Sequence, residues 1–115
     1  MRDILDEYRE FVPTTAQYLE HIEDKGIREA YPYVGLAGEA GELLNVLKKI
    51  YRDDGGKLTP ARRVQMEDEL GDVMWYWMAC CHALNVSPQS IILQNMEKLK
   101  KRREEGSIRG ERDRQ

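Results

Sequence analysis

Four acidic residues stand at two matched spacings, Glu39-x-x-Glu42 and Glu69-x-x-Asp72. On a helix, an i, i+3 pair puts both carboxylates on one face, about a turn apart. The surroundings of the first pair recur around the second: Leu36, Glu39, Ala40, Gly41, Glu42, Leu43 and Leu47 align with Met66, Glu69, Leu70, Gly71, Asp72, Val73 and Trp77. Two such helices packed together gather four negative charges, which is costly unless a cation compensates them. The chemistry these residues suit is therefore a divalent-metal site. Oxygen-only ligands favour hard cations, Mg²⁺ with Mn²⁺ as a substitute, over zinc or iron. His21 follows Tyr18 and His82 follows Ala79 at the i+3 spacing, so no Glu-x-x-His pattern of a di-iron site is present.

A hard cation of this kind works on phosphates, which also need cationic and amide donors. Asn95 and Lys98, at i, i+3, supply them, with Lys101, Arg102 and Arg103 further along the chain. Taken singly, each acidic pair reads as a solvated helix face paired with nearby arginines and lysines. The recurrence weighs against that reading. Gly41 and Gly71 stand between the acids in both pairs, although a mid-helix glycine costs about 1 kcal/mol relative to alanine. A glycine there suggests close approach of a helix or a ligand. His21 and His82 read as structural or surface residues.

The elements that must position these acids are helices. Strand-like alternation is absent, and apolar residues recur at three and four. The pattern predicts four helices. The first spans about Ile4 to His21, with Ile4, Tyr8, Phe11, Ala16 and Leu19 as buried positions and Pro13 as a kink or split point. A polar connection runs from Glu23 to Tyr31. The second helix starts near Pro32 or Tyr33 and stops around Tyr51, before Asp53-Asp54-Gly55-Gly56. The third starts with Thr59 as N-cap and Pro60 at the first helical position, and ends near Leu84-Asn85. The fourth repeats the device with Ser87 and Pro88 and runs to about Glu104. The expected core stripes are Leu36, Ala40, Leu43, Leu47 and Ile50, and Met66, Leu70, Val73, Trp77 and Leu84. The acids fall on the same shoulder of both stripes.

From Val73 to Cys81 the third helix is apolar or aromatic all round, and such a helix is buried all round. Trp75 points away from the expected stripe. The expectation is that Trp75 and its neighbours meet another subunit. The fold class expected is all-α, a four-helix module assembling as a dimer or dimer of dimers. Residues 1–105 form the domain and 106–115 a polar, flexible tail.

With 115 residues the chain suits one domain. A net charge of −3 gives no support for a nucleic-acid partner. Cys80 and Cys81 are adjacent in an apolar run, which reads as two buried thiols rather than a disulfide or metal framework. No apolar run is long enough to span a membrane, and the first residues lack a signal-peptide core. The expected location is the cytoplasm.

The stretches Gly35-Leu36-Ala37-Gly38-Glu39-Ala40-Gly41-Glu42-Leu43 and Glu67-Asp68-Glu69-Leu70-Gly71-Asp72 resemble the MazG-like nucleotide pyrophosphohydrolases of the all-α NTP pyrophosphatase superfamily. Asn95 to Arg102 resembles that family's fourth helix. The resemblance implies Mg²⁺-dependent hydrolysis of a nucleoside triphosphate to the monophosphate and pyrophosphate, for nucleotide-pool house-cleaning, by a homodimer or homotetramer. It implies Glu39, Glu42, Glu69 and Asp72 as metal ligands, with Glu39 or Glu42 as the base. Asn95, Lys98 and Arg102 would contact substrate. Tyr33, Trp75 or Tyr76 suit stacking on the base, and ordinary core packing accounts for them equally well. Gly38 stands where the family often carries a further Glu, and Asp68 where Glu is common, so the number of metal ions stays open. A dUTP-, dCTP- or phosphoribosyl-ATP-directed enzyme of the same superfamily, and a non-catalytic helical interaction protein, are the alternatives.

Overall fold

The structure, a computed structural model, describes residues 2–106, so all but the first residue of the proposed tail lies outside the described residues. Five helices follow in order: α1 Ile4–Thr15, α2 Tyr18–His21, α3 Lys25–Asp53, α4 Pro60–Leu84 and α5 Pro88–Glu104. The described residues contain no strand. The all-α expectation holds.

Local chemistry sets the boundaries. Asp3, Asp24, Thr59 and Ser87 cap α1, α3, α4 and α5, each accepting a backbone N–H of its own first turn. Gly55 and Gly56 at positive φ end α3, Asn85 in the left-handed region ends α4, and Gly106 at positive φ follows α5. Arg62 donates to Asp54 at 2.8 Å, joining the first turn of α4 to the end of α3 across the connecting loop.

Two boundaries differ from the sequence expectation. The stretch read as a polar connection is largely helix: α3 begins at Lys25 behind its Asp24 cap and carries Pro32 inside it, buried. Asp24 at the N-cap outweighed the proline as a start signal. The first predicted helix is split, as Pro13 suggested, between Thr15 and Tyr18. Pro13 has no N–H, so the carbonyl of Arg9 loses its helical donor. His82 of α4 replaces it, its Nε2 donating to that carbonyl at 2.7 Å. The contact requires the Nε2–H form of the ring and gives His82 the structural role expected of it.

α3 and α4 form a long hairpin of helices, and α1 packs on the second half of α4. The core is small: Val12, Met78, Ala79 and Cys81, with Leu5, Tyr8, Met74, Trp75, Trp77, Val86 and Ile91 packed around it. Several expected core positions are instead on the surface, with Ile4 76% and Phe11 55% exposed on α1 and Leu70 55% and Leu84 61% on α4. The expected orientation of α4 is likewise reversed. Trp75, placed outside by the sequence reading, faces α1 and α2 within the same chain. The supposed inner stripe of Leu70, Val73 and Trp77 lines an open apolar groove with Met74 and Ile92. The short helices α1 and α2 claim the Trp75 side, and a wheel drawn on α4 alone cannot show which side they take.

Candidate metal centre

The hairpin brings the two acidic motifs face to face. Carboxylate oxygens of Glu39 on α3 and of Glu69 and Asp72 on α4 all lie within 4.8 Å of one another. Glu42, the fourth expected ligand, stands outside this group. It is exposed and accepts from Asn45 Nδ2 at 3.3 Å. Its charge still acts on Glu69.

Glu69 sits at the centre of the cluster. Burial, its hydrogen-bond contact with Glu39, and the charges of Glu39, Asp72 and Glu42 all hold its carboxyl above the ordinary range. Its Oε2 atom is buried with no hydrogen-bond partner. Buried polar atoms are rarely left so, and an orphaned carboxylate oxygen among other carboxylates has the donor chemistry of a hard-cation ligand. Soft donors are elsewhere: Cys80 and Cys81 are buried, and His82 is engaged with Arg9. The residues present fit a hard divalent cation.

A cleft of about 340 Å³ opens beside the cluster, lined by Glu39, Asp72, Thr15, Trp75 and Tyr76. The hydroxyl of Tyr8, also on α1, is half-buried and feels the charge of Asp72. A larger depression of about 520 Å³ lies along α1, among residues such as Arg2, Glu7 and Phe11, and shares none of the cluster's carboxylates.

The other expected site residues are not gathered here. Tyr33 is 42% exposed on α3 and does not line the cleft. Its neighbour Tyr31 joins the aromatic group instead, stacked on Tyr18 at 4.6 Å. Asn95, Lys98 and Arg102 lie on α5, which packs against α1, and none of them lines the cleft. The glycines between the acids make no close approach, since a Cβ at Gly41 or Gly71 would meet nothing within 4 Å. Sequence reasoning missed Thr15, whose place at the cleft depends on how α1 crosses α4. Its only local signal was its position just after Pro13.

Comparison with known proteins adds to this geometry. A relative from Mycobacterium phage L5, the Gene 37 protein, is 42% identical over 84 residues, covering 73% of this chain and 74% of that protein. No solved structure matches. Residues 32–107, which carry both acidic motifs and all of α4 and α5, match the family model of the MazG nucleotide pyrophosphohydrolase domain. The paired acidic motifs on facing helices, and that match across most of the chain, make this protein a member of the MazG nucleotide pyrophosphohydrolase family.

Proposed function

We propose that the protein hydrolyses nucleoside triphosphates to monophosphate and pyrophosphate in a reaction that depends on Mg²⁺, with Mn²⁺ as a substitute. The observation that carries this reading is the convergence of Glu39, Glu69 and Asp72, with the orphaned Glu69 Oε2, at the edge of a cleft with aromatic walls. These three carboxylates would hold the cation. Bound there, it supplies positive charge against the substrate phosphates and lowers the pKa of water.

The balanced reaction is attack of water oxygen on the α-phosphorus, with cleavage of the bond to the bridging α–β oxygen and departure of pyrophosphate. Glu42, set apart from the three converging acids and open to solvent, accepts the proton from the attacking water. Lys98 and Asn95 are the cationic and amide donors proposed for the phosphates.

We also propose self-association. The radius of gyration is 17.5 Å, against about 13 Å for a compact domain of this length. A groove is lined by Leu70, Val73, Met74, Trp77 and Ile92, and Leu93 and Met96, further along α5 from Ile92, are exposed. Exposed apolar surface of this extent favours a subunit interface. The interface is thus assigned to this groove rather than to Trp75.

The test of the reaction is a panel of canonical and modified NTPs and dNTPs with Mg²⁺, products separated by chromatography. Monophosphate and pyrophosphate are expected, and both should vanish with chelator. Folded protein silent across the panel with Mg²⁺ and with Mn²⁺ would sink the hydrolase reading.

A further inference from the structure

Along α3 the row Glu39, Glu42, Asn45 advances by i+3 steps, each turning about 60° around the helix. Glu39 shares the face of the buried Val46 and Ile50 and meets Glu69 and Asp72 there. Asn45 lies about 120° round from Glu39, on the exposed side, with Glu42 between the two. The Glu42 carboxylate therefore has two directions open to it. Turned inward, it would join the three converging acids as a fourth oxygen ligand. Turned outward, it meets the side-chain amide of Asn45. The outward arrangement is the one found, with Asn45 Nδ2 donating to Glu42 Oε1 at 3.3 Å.

The chemistry of the outer partner matters. An amide is a neutral donor, so it fixes the direction of a carboxylate without pairing its charge. Lys or Arg at the same position would instead form an i, i+3 ion pair with Glu42. Asn45 occupies one oxygen only, and among the described residues the other oxygen of Glu42 makes no hydrogen bond. The surface beside this oxygen is open. Gly38 stands four residues before Glu42 and Gly41 four before Asn45, which makes both glycines helix neighbours of the pair. An added Cβ at either would meet nothing within 4 Å, so a water molecule has room there.

Resting on the hydrolase reading above, we propose that Asn45 is a positioning residue whose amide holds the Glu42 carboxylate out of the cation's ligand set. Glu42 thereby stays a proton acceptor beside open space instead of becoming a fourth ligand. Asn45 touches neither the cation nor the substrate and acts only through Glu42.

The test pairs turnover with cation binding in the full chain. Mn²⁺ affinity is measured by calorimetry without nucleotide, and kcat and KM with the nucleoside triphosphate that the wild type turns over fastest. Asn45→Leu keeps the size of the side chain and removes the donor. It is expected to lower kcat about two- to fivefold at unchanged KM, between the effect of an exposed helix-neighbour pair and that of a hydrogen bond to a charged group. Mn²⁺ should bind more tightly by a similar factor, because Glu42 is released toward the cluster. Both side chains are exposed, so the melting temperature should not move. Asn45→Gln restores an amide donor and should return both readouts toward wild type. In a Glu42→Gln background, Asn45→Leu should change neither readout, a dependence that a merely structural role would not show. Wild-type Mn²⁺ affinity in Asn45→Leu, or the same change with and without Glu42, would overturn the proposal. Wild-type turnover in Glu42→Gln would also overturn it, since no proton acceptor would then need holding. If folded wild type turns over no nucleotide, the hydrolase reading fails and the binding arm decides alone. Tightening in Asn45→Leu that disappears with Glu42→Gln still supports the hold on Glu42, and its absence removes it.

Discussion

At the scale of single residues the centre of the molecule is Glu69. Its carboxyl is pressed by three like charges and has one oxygen with no partner. Removing that charge should relieve repulsion in the metal-free protein while disabling the cation site. Glu69→Gln is therefore expected to raise the melting temperature without metal and to weaken Mn²⁺ binding. Turnover should fall at least about a hundredfold, the upper end of what even outer-shell partners of a metal cost. Glu42→Gln should separate the roles: turnover is lost to a similar degree, but Mn²⁺ affinity is largely kept, because Glu42 stands outside the converging group. Calorimetric Mn²⁺ titration of both variants checks this, and equal loss of affinity in both would move Glu42 into the ligand set. Tyr76 gives a pH signature at the same cleft. Burial, the hydrogen bond to Tyr31 and the charge of Glu39 push its phenol up to about 12. A phenol ionises near pH 10 when unfolded, so between about pH 10 and 12 the folded chain binds more protons than the unfolded one. The stabilising contribution is thus complete below pH 10 and is lost as pH rises through about 12. Ultraviolet titration of tyrosinate in the wild type and Tyr76→Phe should show one late-ionising phenol missing from the variant.

At the scale of elements, the site depends on α4 being clamped from two sides. α3 lies along it as the hairpin partner, and α1 covers the half that carries Trp75 and Met78. Met78 is fully buried where these helices meet, at 0% exposure. Met78→Ala should cost about 2–5 kcal/mol by lost burial and the cavity left behind. In so small a core the outcome is a loss of cooperativity visible in urea unfolding. The joint at Pro13 is repaired rather than strained, because His82 supplies the donor the proline lacks. Thr15, one residue before the break, is then free to serve both Val12 and Trp75.

At the scale of the whole molecule, one chain leaves an open apolar groove uncovered and extends further than a compact domain would. Light scattering after gel filtration is expected to give a dimer or tetramer. Leu93→Glu combined with Met96→Glu, on exposed positions of α5, should shift it toward monomer. A wild-type monomer of unchanged helicity at low concentration would remove the self-association proposal. Among the described residues no helix is long and apolar enough to cross a membrane.

The chain by itself determined what short-range physics controls. The caps at Thr59 and Ser87, the stops at Gly55 and Asn85, the all-helical class and the pairing of Glu39 with Glu69 and Asp72 are all legible. Helix capping and periodicity act within a turn or two, and two acid pairs on adjacent helices joined by a short loop have few ways not to meet. The side of α4 that is covered was decided only in three dimensions, because an all-round apolar segment has no preferred face until α1 packs on it. For the same reason Thr15, bonded to Trp75, and Gly35, seated under the ring of Tyr76, gained their meaning from residues far along the chain. Glu42 turned out of the cluster toward Asn45, a choice of side-chain direction that spacing along a helix does not contain.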